Sequence, residues 1–317
     1  MTTWTWFRHR STASPPLGGD TAAVLRSSPV LLLAGPPADV MVNRLLRTWN
    51  PRAQVGGGAD GTLGSCAIAD GVRWVGPFRL GAVGAAEAGL PLGWSTAYAA
   101  QAERRRMRVP DGLAAAEVRE RYPDGIPVGA EAVAWSLVTG LARRLDGAAR
   151  LPAGDRRPRN AGSVVAQRPE LRQNTYCVYG NQALPWSVLC SLLALSLPGL
   201  DLNGALADND YCLDRTDTFE VRVEPFREGD FLPYALRPRA TEGWPCTVYR
   251  FRCLSRATRT GAAHADLQLR GAPHADLQLR ADVQLRAAAL ELADVVGGAL
   301  LDGEGFPVIT ELARQRR

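Results

Sequence analysis

Two runs that alternate apolar and polar residues, Val72-Arg73-Trp74-Val75-Gly76-Pro77-Phe78 and Val221-Arg222-Val223-Glu224-Pro225-Phe226, say nearly the same thing 149 residues apart (221 − 72). Alternation of this kind suits a strand buried on one face, and the proline closing each run cannot continue a hydrogen-bonded ladder. The likeness spreads outward. Ser65-Cys66-Ala67-Ile68 and Tyr211-Cys212-Leu213 precede the two runs at an offset of 146 (212 − 66), and a helix end, a glycine and a short strand follow at 141–151 and 292–302, an offset of 151 (298 − 147). The chain reads as an internal repeat, and a repeat governs the architecture before any single motif does.

The first half opens with Val30-Leu31-Leu32-Leu33-Ala34, a buried strand ended by Gly35-Pro36-Pro37. Ala38, Met41, Val42, Leu45 and Trp49 then recur at helical spacing until Asn50-Pro51 stops them. Gly56-Gly57-Gly58-Ala59-Asp60-Gly61 has the form GxGxxG, but a dinucleotide fingerprint needs a helix N-terminus directly after it. Residues 62–69 and 72–78 read as strands, so the glycines are read as a connection. The stretch 79–129 has no strong period and carries Trp94, Tyr98 and the run Arg104-Arg105-Arg106-Met107-Arg108; long segments of this sort are where binding residues collect. A helix over 131–145 follows, with Ala134, Leu137, Val138, Leu141 and Leu145 as its apolar stripe. Arg143 and Arg144 complement its negative end, and Gly147 is expected to take the left-handed cap before a strand at 148–151.

The second half repeats this order. A strand begins at Thr175, and Pro185 opens a helix with Trp186, Leu189, Leu193 and Leu197 on one face. Strands follow at Tyr211-Cys212, 219–223 and 246–251, then a closing helix with Leu285, Ala289, Leu292 and Val296, stopped by Gly297-Gly298. Both halves read β, α, β, β, an excursion or extra strand, then α, β. The expected fold is α+β: a tandem pair of ferredoxin-like βαββαβ-type units, 29–152 and 174–310, in a pseudo-twofold arrangement. One mixed sheet spanning both halves is the rival. Residues 1–28, with Trp4, Trp6, Phe7, Arg8, His9 and Arg10, form an arm; 153–173, rich in Pro, Arg, Gly and Asn, form a linker; 311–317 form a basic tail.

A second repeat is nearly undiverged. The ten residues from Gly261 to Arg270 recur from Gly271 to Arg280 with only Ala263 replaced by Pro273, and Ala281-Asp282-Val283-Gln284-Leu285-Arg286 begins a third copy that leads into the closing helix. The copies at 261–280 are read as a surface insert forming a small edge hairpin.

Composition is that of a globular chain long enough for two domains, at 317 residues with 46% hydrophobic and 22% charged. All 37 basic residues are arginine, which points to a GC-rich genome, and the net charge of +5 is small for a nucleic-acid binder of this size. The arginine runs, including Arg156-Arg157-Pro158-Arg159 and Arg314-Gln315-Arg316-Arg317, are read as solvated loop charge. Cys66, Cys177, Cys190, Cys212, Cys246 and Cys253 lack CxxC spacing and read as buried reduced thiols, so a reducing cytoplasm is expected. Residues 1–20 lack the apolar core of a signal peptide, and the apolar runs at 30–34 and 186–200 are too short to cross a bilayer, which argues against a membrane partner.

Histidine is the telling scarcity. His9 lies in the arm and His264 and His274 in the insert, away from any rigid scaffold that could hold an imidazole against a nucleophile. Gly93-Trp94-Ser95-Thr96-Ala97 lacks the last glycine of a nucleophile elbow. Asp208, Asp210, Asp214 and Asp217 begin like a calcium loop, but Cys212 stands where an oxygen ligand is needed. No cofactor and no metal are expected.

The run Tyr122-Pro123-Asp124-Gly125-Ile126-Pro127-Val128-Gly129, with the helix end Ala142-Arg143-Arg144-Leu145-Asp146-Gly147, resembles a family of uncharacterised proteins from GC-rich bacteria; the resemblance implies no activity and transfers no site residue. The function expected from the residues is a noncatalytic cytoplasmic module that binds a protein or a small ligand. Its binding surface is placed on Trp94, Arg104, Arg105 and Arg106 of the first excursion, facing Trp244 and the 231–244 excursion of the second half. The alternatives are an enzyme using carboxylate and arginine chemistry and a weak nucleic-acid binder.

Overall fold

The computed structural model describes residues 19–35, 39–55, 64–109, 122, 124–152, 163–166, 175–197, 206–207, 210–214, 219–227, 229–240, 244–253 and 271–308. Among them the chain is α+β, with six helices, two six-stranded sheets and a two-stranded ribbon, and every strand pairing is antiparallel. The described residues divide into two compact units, one within Met1–Asp39, Gly56–Pro110 and Glu117–Ala166, the other within Val40–Val55 and Gln167–Arg317. No helix among the described residues is long and apolar enough to cross a membrane.

In the first unit the elements run α1 (Gly19–Ser27), β1 (Val30–Leu33), β2 (Gly64–Ala69), β3 (Val72–Arg79), α3 (Ala82–Glu87), β4 (Thr96–Ala102), β5 (Arg106–Met107), β6 (Ile126–Pro127), α4 (Gly129–Arg144), β7 (Ala148–Leu151) and β8 (Ser163–Ala166). Between β1 and β2 the chain passes through α2 (Asp39–Trp49), all of which beyond Asp39 belongs to the second unit. The sheet is ordered β2-β3-β4-β1-β7-β8. Its two faces follow from the period of two. Val30, Leu32, Ala97, Ala99 and Ala148 share one core with Leu25 of α1 and Ala85 of α3, while the alternate positions Leu31, Tyr98 and Ala149 are buried on the opposite face, where α4 packs.

The second unit runs β9 (Thr175–Gly180), α5 (Trp186–Ser196), β10 (Leu206–Ala207), β11 (Asp210–Asp214), β12 (Phe219–Pro225), β13 (Thr247–Cys253), α6 (Gly271–Val295) and β14 (Ala299–Asp302), with sheet order β10-β11-β12-β13-β9-β14. On one face Val178, Tyr249 and Phe251 meet Leu189 and Leu193 of α5 and Leu285, Ala289 and Leu292 of α6. On the other, Cys177, Tyr179, Val248, Ala299 and Leu301 are covered by Phe226, Leu232, Leu236 and Trp244.

The echoed motifs therefore occupy corresponding strands. Five strands lie in the same order in both sheets, β2-β3-β4-β1-β7 and β11-β12-β13-β9-β14. The closing helices end alike as well: Gly147 N–H bonds to Ala142 O and Gly298 N–H to Ala293 O, each at 2.8 Å. The left-handed residue is the one before, Asp146 at φ 49° and Gly297 at φ 58°, so Gly147 is not the left-handed cap that its sequence suggests. It is glycine for lack of room. A Cβ there would stand 2.5 Å from Leu32 O, and one on Gly298 2.6 Å from Tyr179 O, closer than real Cβ atoms come.

Several expected boundaries move. Between α5 and α6 the second unit has four strands, β10 to β13, and in the first unit three sheet strands, β2, β3 and β4, together with the β5–β6 ribbon, separate β1 from α4, where a βαββαβ pattern has two. The missed strand of the first unit is β4, read as part of an unstructured excursion: Thr96-Ala97-Tyr98-Ala99-Ala100 is buried at every position, so no alternation marks it, and alanine is a poor strand former. Residues 19–27 of the expected arm form α1, which buries Ala22 and Leu25, and residues 163–166 of the expected linker form the edge strand β8. The second decapeptide copy, expected as a hairpin, is the first part of α6, because Ala, Leu, Gln and Arg are strong helix formers; the first copy lies outside the described residues, as do the glycines 56–61 and the tail 311–317.

Candidate functional site

The shared helix end fixes where β7 begins, and with it the position of one side chain. Arg150 stands opposite Val30 of β1 and Val164 of β8, which places it on the face that carries α1. It is 0% exposed. The corresponding residue of the other unit, 151 positions on (301 − 150), is Leu301, buried among apolar side chains on β14. The same strand position thus carries a leucine in one unit and a guanidinium in the other, with α1 and α3 over it in the first and residues 226–244 over it in the second.

Arg150 spends one nitrogen on the C-terminal end of α1: Nη1 donates to Leu25 O at 2.8 Å and to Arg26 O at 3.4 Å. A cation suits this end of the helix, whose last carbonyls lack intrahelical donors. The other edge of the guanidinium is the unusual part. Nε and Nη2 are shut off from solvent and have no hydrogen-bond partner. Burial, with the Arg104 charge adding to it, lowers the guanidinium to about 10, still leaving it protonated at neutral pH. Arg104 follows β4 and is partly buried. Arg26 reaches the other way, its Nη1 donating to Glu87 O at the end of α3 at 2.6 Å. A buried charge with two unmet donors is costly, and an anion placed on that edge removes the cost.

The neighbouring arginines have other duties. Arg106 Nη2 donates to Glu131 Oε1 and to Pro152 O, both at 2.8 Å, and Asp124 lies 3.8 Å from Nη1. The Arg106 side chain is 9% exposed and that of Glu131 2%. Arg105 is exposed but gives its backbone N–H to Glu131 Oε2 at 3.0 Å. Arg106 is thus not solvated loop charge but closes the β5–β6 ribbon onto the start of α4, while the Arg105 and Arg108 side chains are exposed. Trp94 packs at the edge of the α1 face.

In the second unit Trp244 packs against the cluster of Tyr179, Leu236 and Val248. Nearby, Arg237 stacks 3.9 Å above the ring of Tyr234, which lies 4.9 Å from Trp49 of α2; Trp49 Nε1 donates to Glu304 O at 3.0 Å. These aromatic faces are already occupied by protein groups. Farther along the same sheet face Arg250 Nε donates to Glu224 Oε2 at 2.9 Å and Arg222 lies 3.5 Å from Glu224, a largely exposed ladder of opposite charges. Cys177 beneath it is pushed up to about 11 by burial, which keeps the thiol protonated and a poor nucleophile at neutral pH. Cys66, Cys190, Cys246 and Cys253 are also free thiols, each only partly buried.

Of the expected surface, then, Arg104 contributes beside Arg150, Arg106 is an internal clamp, and Trp94 and Trp244 are packing residues of different units. No group of three or more potential metal ligands occurs among the described residues; Asp210 and Asp214 lie on β11, and Asp208 and Asp217 outside those residues. Arg150 was passed over as one letter of a short strand. The signal for it was available in the repeat, since aligning 148–151 with 299–302 sets an arginine against a leucine at an inward position. Comparison of the chain with protein-family models, curated proteins and solved structures finds no match.

Proposed function

We propose that this chain is a noncatalytic, cytoplasmic binding protein built on a duplicated module, and that its first unit holds an anionic ligand on Arg150. The observation that carries the reading is the buried, unpartnered Nε and Nη2 edge at a position the second unit fills with Leu301. Retaining a charge where the same scaffold accepts leucine makes sense if the charge has a ligand to meet. Duplication is supported by the shared order of five strands and by the matching helix ends. Within each unit β7-β1-β4-β3 and β14-β9-β13-β12 follow the ferredoxin-like order, with β2 or β11 added at the edge, and a pseudo-twofold pairing of the units is the arrangement such a duplication favours.

The test is thermal unfolding of the full chain in matched sodium chloride and sodium acetate, at constant ionic strength, for wild type and Arg150→Met. Acetate should raise the wild-type transition and leave the variant unmoved. Equal responses in both proteins would remove Arg150 from the site.

A further inference from the structure

Resting on that reading, we propose that the ligand is a monocarboxylate with an apolar body, its two carboxylate oxygens taken side-on by Nε and Nη2 of Arg150 and its body lying under α1. The free edge supplies two N–H groups in one plane, which matches the two oxygens of a carboxylate in a fork-to-fork pair. Nη1 stays on Leu25 O, so the pair forms without giving up the bond that holds α1.

The surroundings select the rest of the molecule. The positions around Arg150 on this face are Val30, Leu32 and Ala148 of the sheet and Leu25 of α1, all buried and apolar. A phosphate would bring further oxygens that these apolar residues cannot satisfy, with the partly buried Arg104 as the one further cation acting on Arg150, and an apolar body brings none. One carboxylate also neutralises one buried guanidinium. The body would enter beneath α1, a helix of nine residues that buries only Ala22 and Leu25. A helix this short has little stability of its own and keeps its place through such contacts. Swinging the Leu25 side chain aside, with its carbonyl still on Nη1, exchanges its contacts for those of the ligand.

The experiment is calorimetric titration of the full chain with sodium octanoate, acetate, succinate and inorganic phosphate, repeated with Arg150→Met and Arg150→Lys, each variant first checked for the wild-type circular dichroism spectrum. Octanoate should bind more tightly than acetate, and both variants should weaken it by at least about tenfold, the lysine included because it keeps the charge and loses the fork. Arg150-dependent binding of phosphate or succinate that exceeds octanoate would overturn the ligand class and leave anion binding standing. Octanoate binding that survives in both variants would overturn the placement at Arg150. No binding of any of the four would overturn the proposal and the anion-binding reading together. If Arg150→Met does not fold, the lysine variant alone decides between these outcomes.

Discussion

Replacing Arg150 by leucine, the residue its counterpart position already carries, should leave the protein as stable as wild type or more so. Burial lowers the guanidinium well below its ordinary value, to about 10. A difference of that size corresponds to roughly 3 kcal/mol spent on keeping the folded-state charge at neutral pH. Against this, the variant loses the bond from Nη1 to Leu25 O, a charged hydrogen bond worth about 1.5–3 kcal/mol. The net is a gain of roughly 0–2 kcal/mol, which for a unit of this size moves the midpoint up by no more than about 8 °C. The sign also has a pH signature. Because the folded-state value lies below the unfolded one, wild type in its folded form binds fewer protons above about pH 10, so its stability rises there while the variant's does not, and the variant's advantage shrinks. Denaturant melts at pH 7 and pH 10.5 read both effects, in the absence of carboxylate buffers. A loss of 2 kcal/mol or more at pH 7 would mean that Arg150 is a structural strut, and the case for a ligand would go with it.

Other consequences can be checked in the same purified protein. Glu131→Ala leaves Arg106 buried without its main partner and should cost about 3–5 kcal/mol by chemical denaturation, whereas Arg222→Ala on the exposed ladder should change stability by less than about 1 kcal/mol. Gly147→Ala and Gly298→Ala should each destabilise by about 1–3 kcal/mol, because either methyl meets a carbonyl oxygen of the first strand of its unit; a penalty at only one of them would break the equivalence of the two helix ends. Cys177 should resist a thiol reagent at pH 8 until the protein is unfolded, being both buried and held up at about 11, and labelling followed by peptide mapping identifies it directly.

What could be read from the sequence was whatever repeated or alternated. β3 and β12 announce themselves because one face of each is buried and the other exposed, and α4 because its stripe recurs at helical spacing. β4 is silent because both its faces are buried, although its counterpart β13, Thr247-Val248-Tyr249-Arg250-Phe251-Arg252-Cys253, alternates and was legible. α1 hid in a terminus of unremarkable composition, since two buried side chains make no pattern. Arginine density marks 104–106, where the Arg106 charge serves the fold and Arg105 is exposed. Arg150 sits alone in Ala-Ala-Arg-Leu, where no run of charge marks it, and its one sequence signal is the leucine at the equivalent position, Leu301.

The passage of α2 into the second unit has a consequence for anyone dividing this protein. Residues 40–55 are encoded inside the first half, yet Trp49 leans on Tyr234 and Phe306 and hands its indole proton to Glu304. A fragment starting at the middle of the chain would be born with that aromatic seat vacant, and a fragment ending there would trail an apolar helix with nothing to lean on. Neither unit is one continuous stretch of the chain, so a single cut leaves neither of them intact.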